Sequence, residues 1–254
     1  MKTQRSIGLL FLTIFLSACG STKLFYADFD ADTVSEGPNE YPPGDPELDH
    51  IYYTNSPVYG PVLQVVNIDE FDQHGNSIRY SATGQTNTYY RLVSFQPYEW
   101  PHDPSTTEYF AYWYGKLELS SSSPALDVGL GDDYLPYGSH WAGLRFKNGR
   151  ILLLTNVRSE TFEEIGSYET GSTHFIVISI DIPSATYEIR ILQDGRVIST
   201  GTRPVLNPES LHAGYAKSLN MCFCERGTYT SGSYLVDFVN ISKRAPGDFR
   251  IIPR

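Results

Sequence analysis

Aromatic residues next to acids form the pattern in this sequence that is best suited to contact a ligand. One group lies in the segment DDYLPYGSHW, residues 132–141, and a further indole lies in the Pro-rich residues 97–102. Aromatic rings stack on the apolar C–H faces of sugars, while carboxylates accept hydrogen bonds from sugar hydroxyls. Turn-forming neighbours place these rings in loops, where exposed aromatics need a functional reason. The residues predicted to contact a glycan are Trp100, Asp132, Asp133, Tyr134, Tyr137 and Trp141.

A cation is the alternative ligand of the same acidic loop. Gly129 and Gly131 separate Asp127 from Asp132 and Asp133. Glycine permits the tight turning that points backbone carbonyls inward, and calcium binds carbonyl and carboxylate oxygens. The loop is therefore interpreted either as a ligand-facing rim or as a cation site.

Two cysteines lie close together near the end of the chain, Cys222 and Cys224. In an oxidising compartment, two such cysteines are more often bridged than free. Residues two apart on a strand point to the same face, however, and a bridge between them strains that geometry. We favour a disulfide, and a pair of reduced thiols in the core is the alternative. A zinc site would need a second Cys or His pair nearby.

The first residues have the pattern of an export signal. Two positive residues precede the apolar run IGLLFLTIFL, which is too short to span a bilayer. The segment LSAC at residues 16–19 resembles the bacterial lipobox, which implies cleavage before Cys19 and acylation of this residue. Residues 1–18 are predicted to be a signal peptide, and residues 19–23 the lipidated cysteine and its tether. A chance cysteine after an ordinary signal peptide is the alternative.

Several acyl chains on Cys19 would give a stable membrane anchor. Gly20 stands where an Asp would resemble an inner-membrane retention signal. We therefore expect the outer membrane to be the destination, with the protein held in the cell envelope by lipid.

The charge of the chain restricts its partners. The net charge is −10 at pH 7, and loss of Lys2 and Arg5 with the signal leaves 17 Lys and Arg against 29 Asp and Glu, or −12. This balance argues against nucleic acid and against a basic patch for anionic lipid. Neutral partners, cationic partners and divalent cations remain compatible with it.

Residues 24–254 are predicted to form one all-β domain. Short apolar and alternating runs recur along the chain, and Asn148-Gly149 and Asp194-Gly195 are typical hairpin dipeptides. Helical periodicity is nowhere sustained, although residues 160–168 are expected to hold one helical turn. The continuous run FIVISI at residues 175–180 indicates a central strand covered on both sides. About a dozen strands in one domain predict a two-sheet jelly-roll sandwich.

The N-terminal segment FYADFDADTVSEGPNEYPPGDP resembles the opening of concanavalin A-like (laminin-G-like) sandwich domains. The segments LRFKNGRILLL, THFIVISIDIPSATYEIRILQDGRVI and YLVDFVNIS agree with it in pattern and order. The resemblance covers nearly all of the chain after the signal, and it implies that the first and last strands lie side by side. It supports a fold that serves lectins, glycan-binding modules, hydrolases and structural domains alike.

The resemblance also implies a structural calcium site at the first and last strands. The matching carboxylates are Asp28, Asp30 and Asp237, which supply the oxygen ligands that calcium prefers. The alternative is that these acids cap turns or pair with Lys243 and Arg244.

Glucanases of this superfamily carry a Glu-x-Asp-x-x-Glu strand, and the most similar positions here are Glu70 and Asp72. The third carboxylate is missing and His74-Gly75-Asn76 indicates a turn, so the pair is interpreted as a solvated acidic loop. The six histidines are scattered singly, without the spacing of a metal site or a nucleophilic triad. We therefore expect no catalytic residue and no enzyme activity.

Three functions follow, in order of preference. The first is a lipid-anchored, non-catalytic, lectin-like binding or adhesion module, with a glycan as the partner. The second is a structural or assembly protein of the envelope that binds another protein. A glycan-degrading hydrolase is the third.

Overall fold

In the computed structural model, two antiparallel sheets pack face to face. The structure describes residues 23–38, 50–53, 63–67, 75–82, 91–97, 107–131, 140–212, 218–223, 231–243 and 245–246. The strands are β1 (Lys23–Ala27), β2 (His50–Tyr53), β3 (Leu63–Asn67), β4 (Asn76–Ala82), β5 (Arg91–Gln96), β6 (Glu108–Glu118), β7 (Leu126–Gly131), β8 (His140–Lys147), β9 (Arg150–Asn156), β10 (Thr161–Ser167), β11 (Thr173–Asp181), β12 (Thr186–Gln193), β13 (Arg196–Ser199), β14 (Arg203–Pro204), β15 (Ser218–Phe223) and β16 (Gly232–Ser242).

The larger sheet has nine strands in the order β13-β12-β11-β6-β16-β4-β3, with β1 paired to β16 and β14 paired to β12. The first and last strands are therefore neighbours, as expected: Phe25 lies opposite Ile241 and Ala27 opposite Val239. Strand β11 lies between β12 and β6, which confirms the central position predicted from its continuous apolar run.

The smaller sheet has seven strands in the order β10-β9-β8-β7-β15-β5-β2. Strand β15 is antiparallel to both of its neighbours, so β5 and β7 run in the same direction on either side of it. Every residue of β7 and of β15 is buried, on the core side and on the outer side alike.

The largely apolar core between the sheets contains a hydrogen-bonded group of three aromatic side chains. Trp113 donates its indole N–H to the hydroxyl of Tyr234 (2.7 Å), which lies 2.8 Å from Nε2 of His174. The imidazole stacks between Phe146 and Tyr234. Burial lowers the pKa of His174 to about 3, so this ring is neutral in the folded protein.

The two predicted hairpins are confirmed and the predicted helical turn is wrong. Asn148 and Gly149 both have positive φ, as do Asp194 and Gly195, which is the conformation that a two-residue hairpin turn requires. Residues 161–167 form the edge strand β10 instead of a helical turn, because they pair with β9. A short 3₁₀ helix at Pro208–His212 is the helical element of the described part of the chain.

Candidate ligand-binding face

The outer surface of the seven-stranded sheet, here called the polar face, carries small and polar residues. On its central strands, every second residue is apolar and points into the core, so the residues between them face outward. The outward positions form three rows that cross the strands. The members of the polar face used below are Ser94, Asp127, His140, Arg145, Ser218 and Asn220.

The strand register gives the rows their composition. In the middle row, Ser94 lies opposite Asn220, followed by Gly129 and Gly143 on the next two strands. The row beside it runs through Cys222, Asp127 and Arg145. The row at the other side joins Ser218, Gly131 and His140. The two glycines of the middle row leave room for neighbouring side chains, His140 over Gly129 and Leu154 over Gly143.

His140 has an unpartnered nitrogen on this face. A Cβ built on Gly129 would lie 2.7 Å from Cδ2 of His140, so the imidazole covers the glycine directly. Nε2 is buried and makes no hydrogen bond to any group in the described part of the chain. Burial lowers the pKa of His140 to about 4, which keeps the ring neutral and leaves Nε2 able to exchange one hydrogen bond with a ligand group.

An ion pair fixes the neighbouring row. Arg145 donates to both carboxylate oxygens of Asp127, from Nε at 2.6 Å and from a terminal nitrogen at 2.9 Å. The guanidinium also lies 4.2 Å from the ring centroid of Phe162. The Asp127 side chain is only 7% exposed, and Arg145 occupies both of its carboxylate oxygens.

Hydrogen bonds also orient the uncharged groups of the polar face. Ser218 donates its hydroxyl to the amide oxygen of Asn220 at 3.1 Å, and Gln96 donates to the hydroxyl of Ser94 at 3.1 Å. Ser94 and Asn220 are almost fully buried although they face away from the core. Fixed polar groups of this kind can select the orientation of a hydroxyl-rich ligand.

Most of the predicted glycan-contacting residues lie outside the described residues, namely Trp100, Asp132, Asp133, Tyr134 and Tyr137. The topology nevertheless relates their segments to the polar face. The chain leaves β5 at Gln96 and β7 at Gly131 at the same end of the sheet, and it enters β8 at His140 beside them. Both predicted segments therefore begin at the end of the polar face that carries His140 and Ser218.

The prediction for Trp141 is wrong. Its side chain is fully buried within β8, and its indole N–H donates to the hydroxyl of Ser210 at 2.6 Å. Trp141 belongs to β8 and not to the preceding loop, and the strand brings this ring into the core. Trp141 is a packing residue that joins β8 to the 3₁₀ helix.

The outer side of the nine-stranded sheet differs, and we call it the aromatic face: Tyr26, Tyr112, Tyr114, Phe175 and Phe238. Phe238 lies at its centre, with ring centroids 5.2 Å from Tyr114 and 6.2 Å from Tyr112. Most of these rings are half-exposed, and Tyr26 is 37% exposed. Tyr112 and Tyr114 pack edge to face against Phe238, at 81° and 73°, whereas the ring of Tyr26 is tilted by 34° against it.

The three acids predicted to bind calcium lie at one end of the aromatic face. Asp28, Asp30 and Asp237 are all close enough to Tyr26 to act on its hydroxyl, although burial is the larger cause that raises its pKa to about 12. Among the described residues, no three His, Cys, Asp or Glu side chains are grouped to hold a metal ion. The expected set of three carboxylate ligands is therefore not assembled.

Two of these acids have other partners that explain their positions. Asp30 accepts the backbone N–H of Asn76 at 2.9 Å, and Asn76 in turn donates to the carbonyl of Asp32 at 3.0 Å. Asp237 accepts the hydroxyl of Ser77 at 3.4 Å. The alternative in which the acids cap turns fits Asp28, whose carboxylate accepts the backbone N–H of Asp30 at 3.4 Å, while calcium binding itself stays a prediction.

The remaining predicted sites fall largely beyond the described residues. These include Cys19, the pair Glu70 and Asp72, and Cys224. Cys222 is disulfide-bonded, and its pairing with Cys224 stays a prediction. In the described segments, none of the helical structure is long and apolar enough to cross a membrane.

Sequence reasoning missed the polar face itself, including Asn220, Ser94 and the pair of Asp127 with Arg145. A signal was available, because LDVGLG and SLNMCF alternate large apolar residues with small or polar ones. It also missed the aromatic face, although YFAYWYG alternates through β6 so that Tyr112 and Tyr114 point away from the buried Trp113.

Comparison with known proteins gives the fold and little more. No family model and no curated protein matches the sequence. Among solved structures, the catalytic domain of a glycoside hydrolase family 131 protein from Coprinopsis cinerea matches with a TM-score of 0.60 at 10% identity, over 89% of this chain and 96% of that one. A family 131 β-glucanase catalytic domain from Podospora anserina matches with a TM-score of 0.59 at 12% identity, over 89% and 98%.

A structure of botulinum neurotoxin type C matches with a TM-score of 0.56 at 10% identity over 89% of this chain. Its description says that cell entry of this toxin depends on interaction with two ganglioside molecules. The chain covers 48% of that neurotoxin structure and 17% of a sialidase that also matches. At such identities these likenesses show the fold alone. The protein is a two-sheet jelly-roll sandwich of the concanavalin A-like type.

Proposed function

We propose that this protein is a non-catalytic, lectin-like binding module that takes up a glycan on its polar face. The segments that continue β5 and β7 would complete the site with Trp100 and Tyr134. The module would be held at the outer membrane by the acylated Cys19.

The observation that carries the proposal is the composition of the polar face. Buried hydrogen-bonding groups line this face, and one of them, Nε2 of His140, lacks a partner among the described residues. Sugars offer many hydroxyls that both donate and accept, so one of them could pair with this nitrogen. The structural neighbours support the same class of ligand, since their descriptions name glycoside hydrolases and an interaction with gangliosides.

The absence of catalysis is part of the proposal. Hydrolysis of a glycosidic bond by the common mechanisms needs two carboxyl groups that face one cleft. Asp127 is the one carboxylate in the sequences of the central strands β5, β15, β7 and β8, and Arg145 occupies both of its oxygens. A hydrolytic site on this face would therefore need a second carboxylate from another segment.

Two asparagines provide a matched test of the binding face. Asn220 and Asn240 are almost equally buried, at 3% and 5% exposed, on the outer sides of the two different sheets. We expect Asn220→Ala to weaken binding of a soluble glucan oligosaccharide to the mature domain about tenfold, as the loss of a well-placed hydrogen bond predicts. Asn240→Ala should leave the affinity unchanged. Calorimetric titration measures both, and thermal unfolding checks that both variants fold.

Equal affinities for the two variants would contradict the location of the site. Release of reducing sugar during the titrations would contradict the non-catalytic reading and favour the hydrolase. Binding that survives Asn220→Ala but is lost in Trp100→Ala would place the ligand in the continuing segments alone.

The anchor is tested separately. Cys19→Ser removes the thiol that would carry the lipid, so we expect the variant to lose palmitate labelling and to leave the membrane fraction. A variant that still labels and sediments with membranes would contradict the anchor without affecting the glycan site.

A second candidate function is supported by the aromatic face. Half-exposed rings beside three carboxylates suit a protein partner with basic side chains, because cations bind both aromatic faces and carboxylates. This favours the role of an envelope assembly protein. The test measures binding to the cell envelope without glycan. If Asn220→Ala keeps this binding and Tyr26→Ala loses it, the main function belongs to the aromatic face.

A further inference from the structure

A groove opens between the two sheets at one side of the sandwich, lined by residues of β9, β12 and the segment 203–209. Its volume is about 640 Å³, within the range of small-ligand sites. Leu153 of β9, Tyr187 of β12 and Val205 form its buried floor. The end of β9 forms one wall, and residues 203–209 form the other.

Both sheets hold the second wall in place. The backbone N–H of Val205 donates to the carbonyl of Ala185 at 2.9 Å, and that of Leu206 donates to the carbonyl of Trp141 at 3.0 Å. Ser210 donates to the carbonyl of Asn207 and receives the indole N–H of Trp141. The groove is therefore preformed, which lowers the ordering cost of binding.

Several polar groups in the groove lack partners. Arg158 is exposed and makes no ion pair or hydrogen bond within the described segments. The hydroxyl of Tyr187 likewise lacks a hydrogen-bond partner there, although the residue is only 3% exposed. Burial is the main cause that raises the pKa of Tyr187 to about 12, so the hydroxyl keeps its proton for donation.

A second guanidinium lies at the opposite wall. Arg203 donates to the carbonyl of Thr200 at 3.1 Å and to Glu163 at 3.3 Å, which orients it. Two arginines line this groove together with Glu209, and Glu163 pairs with Arg203 at 3.3 Å. Arg158 is therefore the positive charge of the lining that pairs with no acid among the described residues.

We propose that this groove binds a saccharide carrying a carboxylate, such as a uronic acid, with Arg158 as the carboxylate-binding residue. The planar guanidinium matches a carboxylate with two parallel hydrogen bonds. Tyr187 and Asn207 offer hydrogen bonds to sugar hydroxyls, while Val157 and Pro204 present apolar surface to the ring. The site is separate from the polar face and does not depend on its function.

Titration of the mature chain with trigalacturonate and with neutral cellotriose tests the proposal. We expect trigalacturonate to bind at least tenfold more tightly than cellotriose at this site, with an affinity that falls as salt increases. Arg158→Gln should lower the trigalacturonate affinity at least tenfold. Arg196→Gln removes an exposed arginine of β13 and the same charge, and it should have little effect. Tyr187→Phe keeps the ring and should lower the affinity about threefold.

Asn220→Ala serves to separate this site from the polar face, and it should leave trigalacturonate binding unchanged. Equal affinity for the two trisaccharides, no measurable trigalacturonate binding, or equal losses in Arg158→Gln and Arg196→Gln would each overturn the proposal. Loss of trigalacturonate binding in Asn220→Ala with retention in Arg158→Gln would overturn it as well, because the acidic sugar would then occupy the polar face.

Discussion

The two outer faces of the sandwich are built from the same alternation of side chains but are stabilised in different ways. On the aromatic face, rings contact each other edge to face and remain half-exposed, so their packing is non-directional and tolerant of change. On the polar face, nearly buried groups depend on specific hydrogen bonds and one ion pair. A buried polar group that loses its partner is costly. Stability should therefore be more sensitive to single changes on the polar face, the same place where ligand groups would be fixed.

Two ion pairs of similar geometry give the sharpest test of this difference. The pair of Asp127 with Arg145 is largely buried, whereas Glu188 and Arg190 on the other sheet are 22% and 45% exposed. Asp127→Ala leaves a nearly buried guanidinium without its carboxylate, and we expect the free energy of unfolding to fall by about 3 kcal/mol. Glu188→Ala should cost about 0.5 kcal/mol, as exposed pairs do.

Urea denaturation of both variants measures these losses. Similar losses for the two variants would mean that the polar face is better solvated than its burial indicates. The comparison between the faces would then fail.

Acid should act on the polar face through His140. Its pKa is lowered by burial to about 4, from an ordinary value of about 6.5, so the folded protein binds this proton less readily than the unfolded chain. The contribution of neutral His140 to the free energy of unfolding is complete above about pH 6.5. It is lost as the pH falls toward 4, by about 1.4 kcal/mol per pH unit. His174 in the core behaves in the same way over a range that extends to about pH 3.

His140→Gln separates the two histidines. Between pH 6.5 and 4 the variant should lose stability less steeply than the parent, by about 1.4 kcal/mol per pH unit. Carboxylates titrate in both proteins, so their contribution cancels in the difference. Parallel curves of unfolding free energy against pH would show that His140 is accessible to protons in the folded state.

A smaller effect than that of Asp127→Ala is expected beside the aromatic face, at Asp30. Because its carboxylate accepts the backbone N–H of Asn76, Asp30→Ala should lower stability by about 1 kcal/mol. The loss should be the same with added calcium and with excess chelator if this hydrogen bond is the role of this acid. A loss that appears only with calcium present would establish the cation site predicted from the sequence.

Strands were predictable wherever one face is apolar. The alternation in β6 and the continuous run in β11 indicated their places, and the hairpin dipeptides indicated the turns at Gly149 and Gly195. Strand β10 was not predictable in this way. Its sequence TFEEIGS is mostly exposed at a sheet edge, so no apolar pattern separates a strand from a helical turn.

The candidate site was only partly predictable, because it depends on which strands become neighbours. Asn220 and Ser94 are more than a hundred residues apart in the chain, and pairing of β15 with β5 brings them together. Burial of Trp141 depends on Ser210 in the same way, since the partner of its indole lies far along the chain. Residue types identified aromatic and acidic candidates, whereas only the sheet register relates them to a surface.

The pairing of β1 with β16 has a mechanical consequence. Lys23 begins β1 and lies opposite Ser242, which ends β16. A force that pulls these two strand ends apart would break the hydrogen bonds between the strands one after another instead of all at once. Because Phe25 and Ala27 are buried, each step of peeling would also expose core. Under tension, β1 should therefore separate from β16 at low force, while the other strands of the sandwich stay paired.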